Sequence, residues 1–115
     1  MLLLLNSGIV IGANLNVGAN IGNVPWEYQN AQGEFVGFEI DLVKEIGSRL
    51  GKQVDIVNIP FNGLFSAVQS GRIDIAISSV TITEKRRKSV SFVQPYYDSA
   101  QSLTVSTRSA AGTLE

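Results

Sequence analysis

The sequence predicts an α/β fold: a mostly parallel sheet with helices on both faces. Three observations predict it. Short apolar, β-branched runs alternate with longer stretches of helical period, in the order β-α-β-α-β-α-β. The stretch from Gly37 to Gly51 carries a single apolar stripe, Ile40, Val43, Ile46 and Leu50, at spacings of three and four. A third strand candidate, Ile73 to Ser78, runs through a hydroxyl-rich loop into a capped turn at Thr83. Such an order calls for right-handed crossovers, with ligands beyond the carboxyl ends of the strands.

Composition agrees with a single core-forming unit. The chain has 115 residues, 44% apolar and 17% charged, which is one domain at most and not a disordered chain. A net charge of −1 gives no electrostatic case for nucleic acid, and the basic run Lys85, Arg86, Arg87, Lys88 reads as a solvated face. With no His and no Cys, imidazole catalysis, thiol chemistry, disulfides and the usual zinc sites are excluded. No cofactor, metal site or catalytic residue is expected.

The N-terminus is ambiguous. Met1 to Leu5 is too short for a signal h-region or a membrane span, and reads as a signal-peptide stub, a cloning junction or the first turn of an element. Ile9 to Ile11 and Leu15 to Ala19 are both strand candidates. IGAN at Ile11–Asn14 is echoed by VGAN at Val17–Asn20, so either copy could enter the sheet. Asn20 to Pro25 is a loop, and Ala31-Gln32-Gly33 turns a short hairpin. In the first helix Glu39 and Asp41 suit the positive end, Arg49 the negative end, and Gly51 is the C′ glycine. Gly47 inside it costs about 1 kcal/mol against Ala, which predicts a close neighbour. Val54 to Ile59 is the second strand. Phe61 to Ser70 is the second helix, with Leu64, Phe65 and Val68 inward and Gly71 ending it. A short third helix covers Glu84 to about Ser89, and Ser102 to Ser106 is the last strand.

The stretch Asp74 to Arg86, DIAISSVTITEKR, is the candidate site. Free N–H groups at a helix head, a hydroxyl from Ser79 or Thr81 and the Arg86 guanidinium would converge on one anion, a carboxylate or a phosphate. The same residues also read as a plain helix start beside solvated charges. Convergence of the loops after three parallel strands on one mouth favours the site.

The runs GEFVGFEIDL, QSGRIDIAISSVTITEKR and FVQPYY, in that order, resemble the family 3 solute-binding proteins, the amino-acid receptors of bacterial ABC importers. The resemblance covers about Leu15 to Val105. It implies a periplasmic-binding-protein-like fold of which this chain holds a single, incomplete lobe. Residues 1–14 would be an extension, 15–101 lobe one, and 102–115 a hinge strand and tail. It further implies that Arg86 pairs bidentately with a ligand α-carboxylate and that Thr81 holds the same group through its N–H and hydroxyl. Ser79 would accept from the α-ammonium, Ser78 would lie beside the ligand, and Phe61 would wall its side chain. Asn20 stands where members with cationic ligands often carry Asp, and Asn23 where many carry an aromatic residue. Two amides favour a neutral polar or an acidic ligand side chain, since a buried cation would lack its partner. Trp26 lines the pocket or lies beneath the hairpin, and Glu39 and Asp41 read as structural.

The resemblance also implies an extracytoplasmic location, membrane subunits of an importer as partners, and a carboxylate for the α-ammonium supplied by a second lobe. Without that lobe, free amino acid is expected to bind weakly if at all. The uncovered sheet edge and hinge strand predict a homodimer, strand-exchanged in one form. The alternatives are a cyclohexadienyl dehydratase-like enzyme, or the sensing half of a receptor kinase, lytic transglycosylase or glutamate-receptor-like channel.

Overall fold

A computed structural model describes residues 14–100 and 102–108. Strand β1, Leu15–Ala19, runs at the centre of a three-stranded sheet. It pairs in parallel with β4, Val54–Asn58, on one side (Leu15 opposite Val54, Ala19 opposite Asn58) and with β5, Ile75–Ala76, on the other. The VGAN copy of the echo therefore enters the sheet through Val17–Ala19, and all of the IGAN copy but Asn14 lies outside the described residues. The candidate strand Ile9 to Ile11 lies outside the described residues.

Alternation along β1 decides which helix lies on which face. Leu15, Val17 and Ala19 bury themselves with Val43 of α1, Phe38–Arg49, and with Ile77. Gly18 points the other way, toward a second cluster of Ile59, Leu64, Ala67 and Ile73 built on α2, Phe61–Gln69. Helices thus cover both faces, as the unbroken apolar character of a parallel strand requires. A Cβ on Gly18 would collide with Ile73 and crowd Leu64, so the strand is glycine there because α2 lies that close. Gly47 is likewise pressed against Val54, the close neighbour its cost in the helix predicts.

Between β1 and α1 a small hairpin intervenes: β2, Tyr28–Gln29, against β3, Phe35–Val36. The Asn30 side chain closes its turn by accepting from the backbone N–H groups of Gln32 and Glu34. Helix α3, Glu84–Arg87, follows β5 and is capped by Thr83, whose hydroxyl accepts from the Arg86 N–H at 3.1 Å. It ends about two residues earlier than predicted, and the N–H groups of Ser89 and Val90 close onto the Arg86 carbonyl instead.

Three expectations are corrected. The first concerns the α1 stripe. Ile40, Val43 and Gly47 are buried, but Ile46 and Leu50 are 36% and 59% exposed. Residues 39, 46 and 50 share one flank of the helix. The loop at Ser78–Ser79 covers Glu39, whereas Ile46 is left partly open and Leu50 mostly so. The second concerns the strand Ser102 to Ser106, which does not form. Its residues are exposed and in no ladder, because an alternating run becomes a strand only beside a partner for its N–H and C=O groups. The third is the two-residue length of β5, although backbone bonds from Asp74 to Asn16 (2.8 Å) and Ile77 to Gly18 (2.9 Å) extend the pairing over most of the predicted run.

Gly18→Val is expected to lower folding stability by about 1–3 kcal/mol through overpacking, read as a lower urea midpoint with an unchanged slope.

Candidate functional site

Parallel pairing puts the carboxyl ends of β1, β4 and β5 on one side, and three loops leave from there. They are stitched to each other before any ligand is considered. The buried Ser78 hydroxyl accepts from the Asn20 N–H at 3.0 Å and donates to Glu27 Oε1 at 3.0 Å. The Ile21 N–H donates to the Asn58 side-chain oxygen at 3.1 Å, which ties the first loop to the end of β4. The Asn23 amide reaches Ser79 Oγ at 3.3 Å.

Ser79 sits at φ 51°, in the left-handed region that a residue with a Cβ rarely adopts. Glu39, in the first turn of α1, holds it there. Its two oxygens accept from the Ser79 N–H at 3.0 Å and from the Ser79 hydroxyl at 2.5 Å. The Glu39 side chain is fully buried, so a carboxylate that sequence pattern assigns to the helix end does most of its work on a loop 40 residues further on.

Arg86 lies on the far side of the same loop. Its Nη1 donates to the Thr81 carbonyl at 2.9 Å, and its guanidinium carbon stands 5.4 Å from the Phe61 ring centre and 5.5 Å from that of Phe65. The two rings meet edge to face at 5.8 Å. Half-buried and held on three sides, the guanidinium makes no ion pair; among the described residues the salt bridge is Arg49 with Glu45, on the outside of α1. Most of its N–H donors remain free for an anion.

A cavity of ≈ 720 Å³ opens along this loop, lined among others by Trp26, Glu39, Phe65, Ser78, Ser79 and Thr81. An adjoining hollow of ≈ 700 Å³ shares Phe65 and Thr81 and adds Arg86. Ser78, Ser79, Thr81 and Arg86 therefore share one continuous mouth. Asn20, Asn23 and Phe61 are not in the lining of either hollow, although hydrogen bonds or ring contacts join each of them to a residue that is. Ser78 lies beneath the floor, with its single proton committed to Glu27. Trp26 stands in the wall, edge to face with Phe38 at 5.6 Å and Tyr97 at 4.6 Å.

Sequence pattern alone missed Glu27, Phe65 as a second ring for Arg86, and Tyr96 and Tyr97. Phe61 and Phe65 are spaced four apart on a helix, which was the available signal for the ring pair. Glu27, set between Trp26 and Tyr28, is almost fully buried. Burial, followed by the nearby charge of Glu39, pushes its carboxyl from the ordinary 4.5 up to about 7. Its second oxygen has no hydrogen-bond partner among the described residues, which suits a protonated acid beside Glu39. Burial and the same two carboxyls push the Tyr96 phenol above its usual range.

Such a mouth at the strand ends defines a class, the α/β lobes that hold small solutes. Comparison with known proteins makes this particular. Residues 15–112 match the bacterial extracellular solute-binding proteins, family 3, and the chain belongs to that family. It is 36% identical over 99 residues to the histidine-binding periplasmic protein of Escherichia coli (strain K12), covering 86% of this chain and 38% of that protein. An ancestral arginine-binding protein superposes with a TM-score of 0.73 in its arginine-bound structure, at 40% identity over 76% of this chain and 38% of the other. Bound to glutamine, an ancestral arginine-binding protein gives 0.71 at 42%, over 73% and 37%. The arginine-bound form of domain 1 from TmArgBP gives 0.72 at 44% identity, over 74% of this chain and 68% of that one. These relatives are binding proteins, not enzymes. The chain spans well under half the length of the full-length relatives, so it represents part of such a protein.

The shifted Glu27 carboxyl fixes a pH dependence. Between 4.5 and about 7 the folded chain holds a proton that the unfolded chain has released, so stability falls as pH rises through that window. About 3 kcal/mol is at stake, from a shift of that size at 1.36 kcal/mol per pH unit. Urea midpoints measured from pH 4 to 8 should decline, and Glu27→Gln, neutral throughout, should flatten the decline.

Proposed function

We propose that the chain is the first lobe of an extracytoplasmic amino-acid receptor serving an ABC importer, with Arg86 and Thr81 taking the ligand α-carboxylate, Ser79 its α-ammonium and Phe61 its side chain. The observation that carries this reading is the Arg86 guanidinium, half-buried over two phenyl rings and without a carboxylate partner. A cation so placed is costly unless an anion completes it, and a bidentate carboxylate fits its fork. The lobe runs over residues 15–101, and membrane subunits of the importer are the partners of the complete protein.

The side-chain preference is neutral and polar. Asn20 and Asn23 stand behind the mouth, bonded to Ser78 and Ser79, and the two carboxyls nearby, Glu27 and Glu39, are buried and engaged with serines. That favours glutamine, which an ancestral arginine-binding relative holds, over arginine or histidine. One lobe of a relative binds arginine as domain 1 alone, which supports measurable though weak binding here.

Titration of the labelled chain with a panel of amino acids, followed by NMR, tests this reading. Glutamine should shift resonances of Ser79, Thr81 and Arg86 at millimolar concentration. Its α-carboxamide should not, and Arg86→Met should weaken glutamine by about 10- to 100-fold, the worth of a charge-assisted pair. Equal binding of acid and amide would overturn the carboxylate role.

Among the described residues the outer edges of β4 and β5 have no strand partner, and a second copy can pair there. Light scattering at high protein concentration should give a dimer mass; a strictly monomeric mass would contradict it.

A further inference from the structure

Arg86 is not the one unpaired charge at the mouth. Glu39 is fully buried, and no Lys or Arg among the described residues pairs with it. A buried carboxylate held by hydrogen bonds alone is costly until a cation approaches. Glu39 is bonded to Ser79, which gives it both an N–H and an O–H, and Glu27 and Tyr96 also stand against it. That commitment has a chemical consequence. With its proton turned toward Glu39, the Ser79 oxygen presents only lone pairs to the mouth, and a hydroxyl polarised by a carboxylate is a stronger acceptor. The Asn23 amide donates to one of these lone pairs, which leaves the other for a ligand donor.

We propose that Glu39 is a positioning residue for ligand binding, the first lobe's own counter-charge to the ligand α-ammonium, acting through Ser79. The inference rests on the amino-acid receptor reading and deepens it. The mouth would then be a complement to a whole zwitterion within one lobe, Arg86 for the anion and Glu39 through Ser79 for the cation. Glu27, on the other side of Glu39, is raised to about 7 by its own burial and then by the neighbouring Glu39 carboxyl. Glu39 also fixes the left-handed backbone at Ser79, so its removal alters both charge and orientation.

The test must separate loss of the ammonium interaction from simple loss of structure. L-glutamine and L-arginine are each titrated, by NMR, against the analogue that lacks only the α-amino group, 4-carbamoylbutanoate and 5-guanidinopentanoate. Glu39→Gln keeps the shape and removes the charge. It should weaken the amino acids by at least about tenfold and leave the des-amino analogues within about twofold. Ser79→Gly, which takes φ 51° without strain, should show the same selective loss and serves if Glu39→Gln does not fold. Equal losses for amino acids and analogues would overturn the proposal and leave Glu39 a structural anchor. No loss in either variant would overturn it too. If no member of the panel binds the unaltered chain, the receptor reading itself fails and this inference falls with it.

Discussion

Two hydrogen bonds from Ser79 to Glu39 join the head of α1 to the loop that leaves β5, and the geometry of the mouth depends on them. Helix α1 is fixed to the sheet by Val43 and by Gly47 against Val54. Its first turn therefore stands at a set height beside the carboxyl ends of the strands. A carboxylate at that point, one short side chain long, can capture the loop only if the backbone turns back on itself, and Ser79 does so at φ 51°. The residues after it, through Thr81 to the cap at Thr83, are then delivered to the far rim, where Arg86 lies over Phe61 and Phe65.

Beneath that tie lies a second layer of polar groups. Ser78 accepts from the first loop and donates to Glu27, while Glu27 faces Glu39. Polar side chains buried this deeply are tolerated because nearly all of them are partnered. The exception is one oxygen of Glu27. A proton on that acid lowers the cost of two buried carboxyls side by side, at the expense of making the layer sensitive to pH near neutrality. The serines are thus divided in their duties. Ser78 is consumed in holding loops together, whereas Ser79, bonded to Glu39 and Asn23, keeps one lone pair to spare.

Much of the fold was legible because periodicity reports burial directly. Leu15, Val17 and Ala19 alternate because α1 covers one face of β1. Gly18 interrupts because α2 presses on the other. Thr83 and Gly51 mark helix ends by chemistry that needs no tertiary partner. Where pattern misled, the missing information was tertiary. Ile46 and Leu50 carry the right spacing on a flank left open, and Ser102 to Ser106 alternate without a neighbouring strand. Arg86 could be nominated from its place in the capped turn, but the rings that hold it come from α2. Glu39 was legible as a helix-end acid and opaque as an anchor, because no local rule links position 39 to position 79.

Charge balance joins these observations. In a finished binding site, buried charges are paired, because isolated ones cost more than the fold can spare. This lobe departs from that rule twice in one place, with a guanidinium on one rim and a carboxylate behind a serine on the other. A ligand carrying one charge would satisfy half of the deficit, and a zwitterion would satisfy both. The arginine-bound form of domain 1 of a relative agrees with that reasoning. On the proposed reading, the head group common to every amino acid would be met in part by this lobe's own residues. A second lobe would then add its leverage on the side chain and on exclusion of water, and closure about a hinge would turn a weak half-site into a tight one.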